Sequence, residues 1–238
     1  LKHTLAQQGY FWEAVFMDIY EALKARHSVR SYKDRKITGY VKEELESFID
    51  ECSEKSGIYI KLFADEPKAF GGIISRYGKF VNVKNYILIA GKRGERLDEM
   101  CGYYGEKIVL KAQTLGLNTC WVGLTYNKSA IPYKPKIGEK ICCVIAIGYG
   151  VSEGVPHSQK NINDVSFVEG TPPQWFINGV KAALLAPTAL NQQMFFFELI
   201  DENKVKATAC RGFYTKIDLG IAKYHFELGA GKENFTWK

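Results

Sequence analysis

Arg26-His27-Ser28-Val29-Arg30 places three basic side chains and a hydroxyl within five residues. The stretch falls where a helix is expected to end. A helix C-terminus carries partial negative charge and repels anions, so an anion held there needs side-chain cations. Two guanidinium forks and a serine hydroxyl can form such a site for phosphate. Lys24, Arg26 and His27 would also complement the helix dipole with no ligand at all. The stretch alone leaves both readings open. A second candidate lies far downstream, at Ala186-Pro187-Thr188-Ala189-Leu190-Asn191-Gln192-Gln193. Pro187 is expected to stop the preceding helix. The turn after it offers one hydroxyl and three amides, which can bond the hydroxyls and phosphate of a nucleotide-like ligand or simply close a turn.

The elements that must position these stretches can be read from periodicity. Asp18 can cap a helix through Ile19, Leu23 and Arg26. Thr38 precedes a second helix whose Leu45, Phe48, Ile49 and Cys52 share one face. Ile58, Ile60 and Leu62 alternate as in a strand. A glycine-rich loop from Phe70 to Phe80 follows, and Tyr86 to Ala90 is a short β-type run. Glu99 to Leu115 reads as a helix closed by Gly116. Thr119–Val122 and Lys140–Ile147 read as buried strands. Residues 148–171 read as a connection. A helix from Pro172 to Leu185, a strand from Met194 to Ile200, a helix from Ile217 to Leu228 and a strand at Phe235 to Trp237 complete the chain. The two parts echo faintly. Gly105 and Gly116 have the spacing of Gly220 and Gly231, each pair followed by Trp121 or Trp237. With 22 glycines this spacing is easily reached by chance, so duplication stays open. Residues 1–16 precede Met17 and are expected to be an N-terminal extension outside the functional unit.

Bulk composition narrows the function. With 46% apolar and 24% charged residues, the 238-residue chain can fill a core. The net charge of +6 is spread rather than clustered, which points to a solvated surface rather than a nucleic-acid stripe and suits a small anionic ligand equally well. None of the six cysteines forms a C-x-x-C pair and the four histidines are dispersed, so no metal site is expected. Most cysteines sit in apolar runs, as buried thiols do. A reducing cytoplasm is the expected compartment. The longest apolar run, Ile141 to Ile147, is too short to span a bilayer. Gly148-x-Gly150-x-x-x-Gly154 lacks the spacing of a dinucleotide fingerprint, and Gly231-Lys232 lacks that of a phosphate-binding loop.

Three stretches together resemble the FMN-dependent nitroreductase family. Arg26-His27-Ser28-x-Arg30 with Tyr32 resembles its opening motif. Gly116-Leu117-Asn118-Thr119-Cys120-Trp121-Val122-Gly123 resembles its G-L-G-T-C-W-I-G segment. Ala186-Pro187-Thr188-x-x-Asn191-x-Gln193 resembles A-P-S-x-x-N-x-Q-P-W, although Met194-Phe195 replaces Pro-Trp. Asp218-x-Gly220-Ile221-Ala222 resembles the start of a family core helix. The resemblance implies an α+β fold with a mixed sheet flanked by helices over residues 17–238. It also implies a function: an oxidoreductase that uses NADH or NADPH to reduce nitroaromatic, quinone or similar small-molecule acceptors in a ping-pong scheme. Flavin binding without turnover, flavin cleavage and reductive dehalogenation are the alternatives.

By the same resemblance, Arg26 and Ser28 hold the FMN phosphate, with His27 inside that motif and Lys160 completing the site. Arg30 lies near the ribityl chain and the N1/O2 edge. Gly123 and Leu124 present backbone to N5 and O4. Pro187, Thr188, Ala189 and Asn191 form the segment that touches the flavin from a partner subunit. No catalytic side chain is required. The family joins these motifs across a homodimer, whereas here they occupy opposite halves of one chain. The arrangement implied is a fused pseudo-dimer of half-units spanning about 17–155 and 171–238 around one FMN site, acting as a monomer or within a homodimer.

Overall fold

The computed structural model describes residues 17–72 and 77–238. The extension assigned to residues 1–16 and the middle of the glycine-rich loop, 73–76, lie outside the described residues. Described elements run in the order α1 (Ile19–Ala25), α2 (Gly39–Ser56), β1 (Tyr59–Phe63), β2 (Tyr86–Lys92), α3 (Leu97–Thr114), β3 (Asn118–Val122) and β4 (Glu139–Gly148). They continue with α4 (Ile162–Val165), β5 (Ser166–Val168), α5 (Gln174–Ala183), β6 (Phe195–Asp201), β7 (Lys204–Ala209), α6 (Thr215–Ala230) and β8 (Thr236–Trp237).

These strands form two sheets flanked by helices. The first has the order β1-β2-β4-β3 and is antiparallel throughout. The second has the order β5-β6-β7-β8, and mixed strand direction is confined to it: β5 runs parallel to β6, β6 antiparallel to β7, and β7 parallel to β8. β4 is buried from Ile141 to Gly148, which explains why its sequence is a continuous apolar run rather than an alternating one. The connection expected at 148–171 contains α4 and β5, too short to show a period. β7, which the sequence reading missed, returns from β6 through Asp201-Glu202-Asn203 and buries only Val205.

One apolar core joins the two sheets. Ile49 of α2, Ile108 of α3, Ile145 of β4, Phe176 of α5, Phe197 of β6 and Phe226 of α6 belong to a single cluster. Five of the six cysteines are buried thiols and Cys210 is half-buried.

The two long helices, α3 and α6, cross at Gly102 and Gly220. A Cβ on Gly102 would lie 2.0 Å from the carbonyl oxygen of Ile217, and one on Gly220 would lie 2.0 Å from that of Glu99. Each glycine thus packs on the carbonyl one turn before the other, so backbone touches backbone.

Gly102→Ala and Gly220→Ala are each expected to lower the unfolding free energy by about 3 kcal/mol, because the methyl group meets rigid backbone on the facing helix. Urea denaturation measures this. Gly94→Ala, which meets nothing within 4 Å, is the control and should be near neutral. Equal stability of all three variants would refute the close crossing.

Candidate functional site

Asp18 caps α1 by accepting from the backbone of Tyr20 and Glu21, and the helix ends at Arg26. The chain then runs extended beside β3. Ser28 bridges Thr119, and the Val29 N–H donates to the Thr119 carbonyl at 2.9 Å. Tyr32 locks the stretch from below, its hydroxyl donating to the carbonyls of Val29 and Ala146. Extended geometry alternates side chains. Val29 enters the core, while Ser28 and Arg30 face a cleft.

Arg26 lies behind that cleft wall, 3% exposed. Its Nε stands 3.7 Å from Oε1 of Glu106, an ion pair too long to be a hydrogen bond. Glu106 is fully buried and accepts from the indole N–H of Trp121 at 2.8 Å; its Oε1 meets Nε2 of His225 at 2.9 Å. Burial pulls the Arg26 guanidinium below its ordinary pKa, and Glu106 and Cys120 oppose that shift. Arg26 Nε has no hydrogen-bond partner. A buried donor without an acceptor is costly, and an anionic ligand would remove that cost.

The downstream stretch forms the opposite wall. Thr188 is extended and Ala189–Asn191 make a 3-10 turn. Leu190, Asn191 and Gln193 have φ values of 54°, 54° and 45°, left-handed geometry that costs non-glycine residues energy. Hydrogen bonds hold the strained turn. Asp218 on α6 accepts from Ala189 N at 3.0 Å and from Gln192 Nε2 at 2.9 Å. Asn191 and Gln193 both donate to the Ser158 carbonyl at 2.9 Å. Lys160 donates from its backbone to Gln193 Oε1 and from Nζ to the Gln193 carbonyl.

Ser28, Arg30 and Gly123 therefore face Pro187, Thr188 and Ala189 across one cleft of about 580 Å³. It opens into a wider chamber of about 1060 Å³ bordered by Tyr77, Phe80, Leu124 and Phe213. Arg30, Trp121, Gly123, Ala189 and Tyr214 line both. The segment from 149 to 160 straps the walls together. Gly154 packs on His27 and Ser28, His157 bonds the Leu184 carbonyl at 3.0 Å, and Ser158 and Lys160 meet the turn. Burial, reinforced by Arg26, lowers the pKa of both His27 and His157.

Of the residues expected at the site, Ser28, Arg30, Gly123, Leu124, Pro187, Thr188 and Ala189 line the joined cavities. Arg26, His27, Lys160 and Asn191 do not line them: Arg26 is buried against Glu106, His27 adjoins Ser28, Asn191 is turned onto Ser158, and Lys160 is held on Gln193 and borders a separate cavity with Ile162 and Leu184. Sequence reasoning missed Trp121, Leu190, Tyr214 and Asp218 as lining residues. Tyr214 sits over Gly123, whose carbonyl accepts from its hydroxyl at 3.0 Å. Its left-handed φ of 59° carried no signal in the chain. Asp218 was legible as the start of a core helix but not as a cleft residue. Among the described residues, no helix is long and apolar enough to cross a membrane, and no cluster of three or more His, Cys, Asp or Glu could hold a metal.

Residues 18–230 match the family model described as "Putative TM nitroreductase". The chain belongs to this nitroreductase family. A structure described as a putative nitroreductase from Thermotoga maritima superposes with a TM-score of 0.68 at 22% identity, covering 96% of this chain and 90% of that one. One from Desulfovibrio desulfuricans, solved in complex with FMN, gives a TM-score of 0.52 at 20% identity, covering 65% of this chain and 98% of that one. Another FMN complex, from Exiguobacterium sibiricum, gives 0.50 at 16% identity, covering 62% and 95%. No curated protein matches. At these identities the likeness establishes the nitroreductase fold; the Thermotoga chain follows this chain nearly end to end, and the FMN-bound chains follow about two thirds of it.

Burial pushes the Asp218 carboxyl from 3.8 up to about 6, against the pull of its bonds from Gln192 and Ala189. Raised in the folded state, this group costs stability when ionised, above about pH 6, and that cost fades as pH falls toward 4. The stability of Asp218→Asn relative to the parent is therefore expected to rise by up to about 3 kcal/mol between pH 4 and pH 8, converting the shift at 1.36 kcal/mol per unit. Melting curves across that range measure it, and a gap that widens on acidification would contradict the assignment.

Proposed function

We propose that this nitroreductase-family chain is an FMN-dependent oxidoreductase that takes electrons from NADH or NADPH and passes them to a nitroaromatic, quinone or similar small acceptor. The observation that carries the reading is the single cleft walled on one side by Ser28 and Arg30 and on the other by Pro187–Ala189. The buried Arg26 guanidinium, two residues before Ser28, adds positive charge that favours an anion at that wall.

In this reading Arg26, Ser28 and Lys160 bind the phosphate, with His27 shaping the loop between the first two. Arg30 pairs with the N1/O2 edge of the ring system. Backbone at Gly123 and Leu124 meets its N5/O4 edge, and Thr188, Ala189 and Asn191 cover it from the far wall. Pro187 fixes where that wall begins. FMN, when bound, supplies hydride and electron transfer, and the protein supplies orientation and electrostatics. Tyr77, Phe80 and Phe213 give the wider chamber an aromatic border suited to a flat acceptor. No side chain is assigned as an acid, base or nucleophile, and no metal takes part. The free thiols accord with a cytoplasmic setting, which is part of the same proposal.

Purified protein supplied with FMN and desalted is expected to be yellow and to oxidise NADH or NADPH when a quinone or nitroaromatic is added. Ser28→Ala is expected to weaken FMN binding about tenfold, the loss of one hydrogen bond to a charged group. A preparation that stays colourless in excess FMN would sink the flavin assignment. A yellow protein that never consumes either nicotinamide would sink the oxidoreductase assignment alone.

A further inference from the structure

The reciprocal contact of Gly102 and Gly220 defines a local two-fold axis between α3 and α6. The axis relates more than two glycines. On α6 the cofactor cleft is lined by Tyr214, Ile217, Asp218 and Ile221. Counting from Gly220 and transferring those positions to Gly102 gives Arg96, Glu99, Met100 and Tyr103 on α3. All four line a separate cleft at the other end of the helix pair. Trp237 lines it too, and Trp237 follows α6 as Trp121 follows α3. Each tryptophan also donates its indole N–H to a glutamate of the preceding helix, Trp121 to Glu106 at 2.8 Å and Trp237 to Glu227 at 2.7 Å, but the glutamates stand at different offsets, four residues past Gly102 and seven past Gly220, so the two contacts are alike in kind and not in register. The element order repeats as well. α2, β1, β2, α3 and β3 parallel α5, β6, β7, α6 and β8, and in each set the first two strands pair antiparallel; β4, which pairs β3, has no counterpart after β8 among the described residues.

We infer that the chain consists of two related half-units, about 17–155 and 171–238, and that the Trp237 cleft is the two-fold counterpart of the cofactor cleft, closed to flavin. One chain then binds one FMN, and no residue of a second copy completes the site. The inference rests on the flavin reading proposed above.

The chemistry of the counterpart explains its closure. Glu227 accepts from the Tyr103 hydroxyl at 2.6 Å and from Trp237, and Lys232 lies 3.5 Å away. Lys223 pairs with Glu99 at 2.6 Å and lies over the Trp237 ring at 4.8 Å. The cleft's own carboxylates thus take up Lys223 and the Trp237 and Tyr103 donors. Two carboxylates in the wall also oppose a phosphate dianion. The supporting stretches are missing. The chain enters α5 through Pro172-Pro173 rather than an arginine–serine stretch. It leaves α2 through Gly57 directly into β1, with no turn like Thr188–Gln193.

Calorimetric titration of the full chain with FMN, repeated at several protein concentrations, tests the inference. The expected result is one site per chain with an affinity that dilution leaves unchanged. Two sites per chain would overturn it, as would binding that disappears when a dimer dissociates. Absence of any binding would overturn the flavin reading on which it stands, a separate outcome. Glu227→Gln supplies a second arm. Its melting temperature is expected to fall while stoichiometry stays at one and FMN affinity stays within about twofold, since distant sites act independently. A tenfold loss of affinity in that variant would place the flavin in the counterpart cleft and overturn the inference.

Discussion

Gly102 and Gly220 set how near α3 and α6 can come, and the rest of the structure follows from that distance. A side chain at either position would force the two backbones apart. Because the helices touch, β3 after α3 lies beside the start of α6, and Gly123 meets Tyr214 across the cleft mouth. The same closeness lets Phe226 of α6 share one core with Ile108 of α3 and Ile145 of β4. Parts of the chain far apart in sequence therefore become opposite walls of one cavity.

Two polar devices fasten those walls. Glu106, fully buried, collects Trp121 from β3, Arg26 from the end of α1 and His225 from α6. Removing one member of such a buried charged group leaves the others uncompensated, which typically costs about 3–5 kcal/mol. Asp218 does the equivalent for the far wall, holding Ala189 and Gln192 beside residues in left-handed geometry. The strain of Leu190, Asn191 and Gln193 is offset locally by bonds to Asp218, Ser158 and Lys160. A cleft wall with a fixed shape is the result, the condition under which a cofactor can be oriented without being covalently attached.

Much of this was legible in the chain, for identifiable reasons. Asp18 and Gly116 mark helix ends because capping and left-handed turns demand those residue types. β1 and β4 were legible because alternation and continuous apolarity report one-sided and two-sided burial. α4, β5 and β7 were not, since three or four residues, or a strand with one buried side chain, show no period. At the site, Ser28, Arg30 and Thr188 were legible through motif chemistry. Arg26 was legible as a cation but not as one tied to Glu106, because nothing local to either residue encodes a contact between α1 and α3. Asp218 and Tyr214 join the cleft through the helix crossing, a property of two distant segments together. The glycine spacing suggested an internal echo and did not mark the Gly102–Gly220 contact, because that contact follows helix geometry rather than equal intervals along the chain.

The central claim is that the Ser28–Arg30 and Thr188–Asn191 stretches of one polypeptide enclose one flavin. A crystal structure of the protein grown with FMN tests it most directly. The account predicts electron density for a single FMN per chain, its phosphate against Ser28 and Arg26 and its ring system between Gly123 and the Thr188–Ala189 segment of the same chain. A flavin touching only one of the two stretches, or one enclosed by residues of a neighbouring chain, would contradict it.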